Sequence, residues 1–156
     1  MATHLLTSFS SLRLLRLPLI VLAVCCCLSG GGCMSKKDRA QLFYPQAATN
    51  RAATATAMAA AWRNQEIKLD DCLDMAFDHL ENDSDAASIA FAGAVLDFAA
   101  EIERELPQQP EYFILWMRIG GLAGHSATTA YNLGDFPAAR SLVLAGPRKW
   151  QTDKYW

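Results

Sequence analysis

The sequence predicts an all-α protein, a small bundle of about four helices of hairpin-like or repeat-like type, behind a cleaved N-terminal signal. Three observations carry this. Apolar residues past Pro45 recur at steps of three and four, and no segment alternates with period two over a convincing length. Residues 33–156 contain 24 Ala, the strongest intrinsic helix former. Helix punctuation also falls between the periodic runs, at Asn82-Asp83-Ser84-Asp85, Pro107-Gln108-Gln109-Pro110, Gly134-Asp135 and Gly146-Pro147.

Ala48, Ala52, Ala55, Ala59 and Trp62 define the first helix, over 48–68, with Thr49 or Asn50 as its cap. Such a stripe of small residues buries little area, so this helix is expected to be the loosest. Leu69, Leu73, Ala76 and Leu80 mark a second apolar face, which either continues the first helix or starts anew at Asp70. The strongest pattern is Phe91, Val95, Phe98, Ile102 and Leu106, a stripe wide enough to face a core over 86–106. In the segment 111–133, Phe113, Met117, Gly120, Gly124, Ala127 and Tyr131 share one side. Gly120 and Gly124 would admit a close neighbour; the alternative is a kink at Gly120-Gly121. A short last helix over 137–145 takes Asp135 as its cap.

With 156 residues there is room for one ordinary domain. A 52% hydrophobic composition excludes a disordered chain, and a net charge of -2 argues against an electrostatic grip on nucleic acid. The charge is unevenly spread. Residues 1–37 contain no acid, and Arg13 and Arg16 precede the apolar run LPLIVLAVCCCL from Leu17 to Leu28. A basic region, a short apolar run and small residues behind it form the architecture of a secretory signal. The run is shorter than the ~20 residues of a membrane span, and extending it back to Leu12 would bury Arg16. Residues 33–156 then hold 12 Lys and Arg against all 16 acids. Cys25, Cys26 and Cys27 would leave with the signal, so Cys33 and Cys72 remain and no disulfide framework is expected.

The segment Ser29-Gly30-Gly31-Gly32-Cys33 resembles the lipobox of bacterial lipoproteins, with Gly30 where Leu is commonest. The resemblance implies lipid on Cys33, which becomes the new N-terminus, and a membrane as partner. It divides the chain into a signal (1–32), a lipidated Cys and polar tether (33–45), a helical domain (46–147) and an aromatic, basic tail (148–156). Met34 is not the Asp associated with inner-membrane retention, so the resemblance favours the outer membrane. The alternative is ordinary cleavage near Gly32 and a soluble periplasmic or secreted protein. A second, partial resemblance covers Ala130 to Ala139, which is similar to the turn between the two helices of a tetratricopeptide repeat. It implies that Gly134 ends one helix, that Phe136 wedges into the interhelical groove and that Ala139 stands where the helices cross. No array of such repeats is present.

The residues hold no catalytic constellation. Gly124-His125-Ser126 lacks the flanking glycines of a nucleophile elbow, and a His-Glu-x-x-His zinc motif is absent. Cys72, Met75 and His79, at offsets of three and four, share a helix face and offer thiolate, thioether and imidazole, a set that suits copper(I). Core packing is the plainer use of the first two. Seven acids from Asp70 to Asp85 lack the Gly and later ligands of a calcium loop. Glu101, Glu105 and Glu111 read as surface acids, with Arg104 a partner for one of them. No cofactor is expected. Phe136, Trp150, Tyr155 and Trp156 are the candidate interaction residues, aromatics that are docked or waiting for a partner. The expected function is therefore a non-enzymatic, membrane-anchored lipoprotein with a protein partner. The alternative is a periplasmic soft-metal or small-ligand carrier using Cys72, Met75 and His79.

Overall fold

The computed structural model describes residues 34–106 and 113–145. Among them are seven helices and no strand, so the protein is all-α. The signal at 1–32, Cys33, the turn at 107–110 and the tail from 146 lie outside the described residues.

The stretch 33–45 departs from the expected tether. Lys36–Gln41 forms helix α1 and Tyr44–Thr49 forms α2. Ser35 caps α1 reciprocally: its hydroxyl accepts from the Asp38 amide at 3.1 Å, and the Asp38 carboxylate accepts from the Ser35 amide at 3.2 Å. Pro45 sits in the first turn of α2, where its missing N–H costs nothing. Each helix buries one small residue, Ala40 and Ala47, and Tyr44 packs partly against the core. A single alanine per short helix leaves no periodic signal, which is why this stretch reads as linker.

Asn50, one of the two expected caps, starts a helix shorter than the 48–68 expected. Its backbone leaves the helical region and its side chain accepts from the Ala53 amide at 3.1 Å, starting α3 at Arg51–Arg63. At the other end Gln65 adopts φ 60°. The Gln65 amide donates to the Trp62 carbonyl and the Glu66 amide to the Ala61 carbonyl, the bonding of a left-handed C-terminal cap. Helix α4, Leu69–Asn82, is thus a separate element. In α3, Thr54, Ala55, Met58, Ala59 and Ala61 are buried, while Ala52 is exposed, so the inward face is rotated from the predicted stripe. Small residues let α3 lie close along its neighbour.

That neighbour is α5, Ala86–Glu101, begun by Asp85 and Ser88 in a reciprocal cap. Phe91, Val95, Phe98, Ile102 and Leu106 are all buried as predicted, though the helix ends at Glu101. Burial extends almost all round, with Leu96, Ala92, Ala94 and Gly93 also inside. Helices α2, α3 and α4 and the next helix, α6, all contact it. A helix apolar on every face belongs at the centre of a core, and Asp97 is the only charged residue from Ala86 to Ala100.

Helix α6, Phe113–Asn132, runs through Gly120-Gly121 as one helix of 20 residues. It contacts α4 and α5 and buries Trp116, Ile119, Leu122, Ser126, Ala127 and Ala130. Gly134, with φ 80°, ends it: the Gly134 amide donates to the Tyr131 carbonyl and the Asp135 amide to the Ala130 carbonyl. Asp135 then caps α7, Phe136–Leu144, accepting from the Ala138 amide at 3.0 Å. Helix α7 packs on α6 and completes a helical hairpin.

Candidate interaction surface

The predicted stripe of α6 faces outward. Phe113, Met117, Gly120, Gly124 and Tyr131 are exposed, and Ile114 stands beside them. Only Ala127 of that set is buried. Among the described residues, a Cβ built on Gly120 or Gly124 meets nothing within 4 Å. The stripe is therefore a surface, with the core contacts made by the other side of the same helix.

Where α6 meets α7, the surface deepens into a groove of about 610 Å³. Gly124, Ala127 and Tyr131 line it from α6, and Phe136, Ala139 and Val143 from α7. Thr128 and Arg140 complete the lining, so it contains one charged side chain. Phe136 does not wedge between the helices. It is 59% exposed and lies edge-on to Tyr131, with ring centroids 5.2 Å apart. Ala139 is buried where α7 lines the groove. Trp150, Tyr155 and Trp156 lie outside the described residues.

The Cys72, Met75 and His79 set is divided between two environments. Cys72 and Met75 are buried in the core. Burial, with Asp71 nearby, pushes the Cys72 thiol up to about 12, so the thiolate that a soft metal needs is strongly disfavoured. His79 instead joins the N-terminal helices to the body. Its ring stacks on Tyr44 at 3.7 Å between centroids and meets the edge of Phe91 at 6.0 Å. Nδ1 hydrogen-bonds the Asp83 carboxylate at 2.7 Å, and Nε2 lies 3.3 Å from the side-chain Nε2 of Gln41. Burial, then the charges of Asp85 and Asp83, raise the Tyr44 hydroxyl above its usual pKa. Among the described residues no group of three His, Cys, Asp or Glu gathers as metal ligands would.

Four of the acids tie helices or chain segments together. Arg118 of α6 pairs with Asp70 at 2.7 Å and also with Asp74, tying α6 to α4. Arg63, not Arg104, engages Glu101 at 3.1 Å and Glu105 at 2.7 Å. Hydrogen bonding to Arg63 holds the Glu105 carboxyl below its usual range. Glu111 lies outside the described residues. Ser126 is buried and its hydroxyl donates to the Ala123 carbonyl, while His125 is exposed against the edge of Phe77. The two do not form a nucleophile and base.

Residues that sequence reasoning passed over include Arg51 and Asp97, joined by bonds of 2.6 and 2.7 Å between α3 and α5. The lone acid in an apolar helix was the signal for that pair. A second hollow of about 620 Å³ lies between α3 and α4, where Trp62, Ile67 and Leu115 meet Lys36, Lys68 and Asp70. Its lining mixes charges of both signs and favours no single ligand class. No protein-family model matches the chain, and no curated protein or solved structure matches it significantly.

Proposed function

We propose that this protein is an exported lipoprotein, held at a membrane by lipid on Cys33, whose helical body is a non-enzymatic protein-interaction module. The observation that carries the interaction half is the groove between α6 and α7. Tyr131, Phe136 and Val143 are each more than half exposed around it. Exposed apolar patches rimmed by polar surface mark interaction sites, and a groove between two helices is the shape that accepts an apolar helix face. The anchoring half is supported by the acid-free first 37 residues, the apolar run and Ser29-Gly30-Gly31-Gly32-Cys33. Among the described residues no helix is long and apolar enough to cross a membrane.

Mass spectrometry of the mature protein tests the anchor. A diacylglycerol adduct on Cys33, lost in Cys33→Ser together with membrane retention, is expected; an unmodified N-terminus at or beyond Cys33 overturns it. A photo-crosslinking amino acid at Phe136 tests the groove. It should trap a protein in membranes, and the adduct should fall sharply in Val143→Asp. Crosslinking that is unchanged by Val143→Asp ends the assignment to this surface.

A further inference from the structure

We infer that the partner of this surface is a second copy of the chain, with α6 packed against α6 antiparallel about a two-fold axis level with Leu122. The inference rests on the reading of this face as an interaction surface and names what covers it.

The first argument is electrostatic. The outward positions of α6, from Phe113 through Met117, Gly120, Gly124 and Thr128 to Tyr131, carry no Asp, Glu, Lys or Arg. The single Lys or Arg of the helix, Arg118, is engaged by Asp70 and Asp74. An isologous interface sets one patch against itself, so any uniform charge on it would be opposed by its own image. The α6 side of the patch has none, and Arg140 of α7 is the charged side chain that lines the adjoining groove. Antiparallel packing also places the positive end of each helix dipole beside the negative end of the other.

The second argument is order along the helix. Phe113 and Tyr131 are equidistant from 122, as are Met117 and Ala127, and Gly120 and Gly124. In an antiparallel pair centred there, the aromatic of one copy meets the aromatic of the other. Met117 enters the groove floored by Ala127, and the glycines meet where the axes cross. With nothing within 4 Å of a Cβ at Gly120 or Gly124 among the described residues, the space at that crossing is open to a neighbouring backbone.

The third argument is area. Phe113, Ile114, Met117, Tyr131, Phe136 and Val143 are between 51% and 68% exposed. At about 100 Å² for each half-exposed large side chain, they offer about 600 Å² per copy. The pair would bury about 1,200 Å², the lower bound for a specific interface. A modest, reversible dimer is what such a face supports.

The test co-expresses two differently tagged full-length copies in membranes, one Phe113→Cys and the other Tyr131→Cys, under mild oxidation. A mixed disulfide is expected. Phe113→Cys paired with itself should give at least about tenfold less, because antiparallel packing separates those positions by 18 residues, or about 27 Å of helix. Gly124→Leu in both copies should lower the mixed disulfide about tenfold while leaving the thermal midpoint unchanged or higher. Equal yields for both pairings, or no disulfide between copies that retain the native thermal midpoint, overturn the second copy as partner. If the new cysteines instead trap a different protein, the interaction surface stands and its self-pairing falls. If they trap nothing and react freely with a water-soluble maleimide, both fall. Reaction only after the bilayer is dissolved assigns the face to lipid and also overturns the dimer.

Discussion

Helices α5 and α6 are both apolar and both carry glycine at mid-length, yet they use it in opposite ways. A Cβ on Gly93 of α5 would lie 2.7 Å from the Arg51 guanidinium. The missing side chain is the space through which Arg51 reaches Asp97, one turn further along. Gly120 and Gly124 of α6 have open space where a Cβ would stand, among the described residues. A glycine that makes room for a neighbour inside the fold is part of that fold. One that faces solvent weakens its helix by about 1 kcal/mol relative to Ala and makes room for no neighbour among the described residues. The contrast separates a helix whose surroundings are complete from one with a side still open.

The largest expected effect comes from truncating an aromatic on each. Phe98→Ala in α5 should destabilise by about 3–5 kcal/mol, the range for a buried Phe. Phe136→Ala, in the surface that α6 shares with α7, should change stability by no more than about 1 kcal/mol, since it loses one aromatic contact and little burial. Urea unfolding of both variants checks this. A large loss at Phe136 would mean that the groove is part of the core.

An intermediate effect reports how dry the interior is. Cys72 ordinarily ionises near 9.0 and in the fold near 12. Between those values the folded state holds a proton that the unfolded state has released, so stability falls as pH rises through that window. Three units correspond to about 4 kcal/mol at most. The extra alkaline loss should vanish in Cys72→Ala, measured as the difference in slope of unfolding free energy against pH. Equal slopes would place water beside Cys72.

The smallest effect is the most direct comparison of the two helices. Gly120→Ala should stabilise by up to about 1 kcal/mol through helix propensity alone. Gly93→Ala should be close to neutral, because the same gain is offset by displacing Arg51 from Asp97. In an Arg51→Ala background it should stabilise by about 1 kcal/mol, giving a coupling of about that size in a double-mutant cycle. Identical responses at the two glycines would remove the distinction between them.

Local punctuation was the most legible part of the fold. Asn50, Asp85 and Asp135 each cap a helix because a short polar side chain reaches an amide three residues on, a relation contained within one turn. The five-residue stripe from Phe91 to Leu106 was legible for a similar reason, since its large side chains repeat at steps of three and four along one face. Helix α6 was harder. It has two apolar faces, Trp116, Ile119 and Leu122 on one and Phe113, Met117 and Tyr131 on the other. Periodicity identifies a face without saying which one turns inward. The groove was half visible: Phe136 was singled out, whereas Val143 and Arg140 enter it only because α7 folds back on α6. The contacts of His79 with Gln41 and Tyr44 span more than 30 residues of chain and have no local signature.

Those contacts bear on reach. Stacked on His79 and anchored by Ala40 and Ala47, helices α1 and α2 belong to the body, so Met34 and Ser35 alone separate Cys33 from the first helical residue. That is about 10 Å of extended chain at most. A body on so short a leash, with lipid on Cys33, would skim the headgroups with little freedom to tumble or rise. Confinement to two dimensions raises the local concentration of such bodies relative to one another. An interface too small to persist in dilute solution would then be populated by crowding in the plane of the membrane.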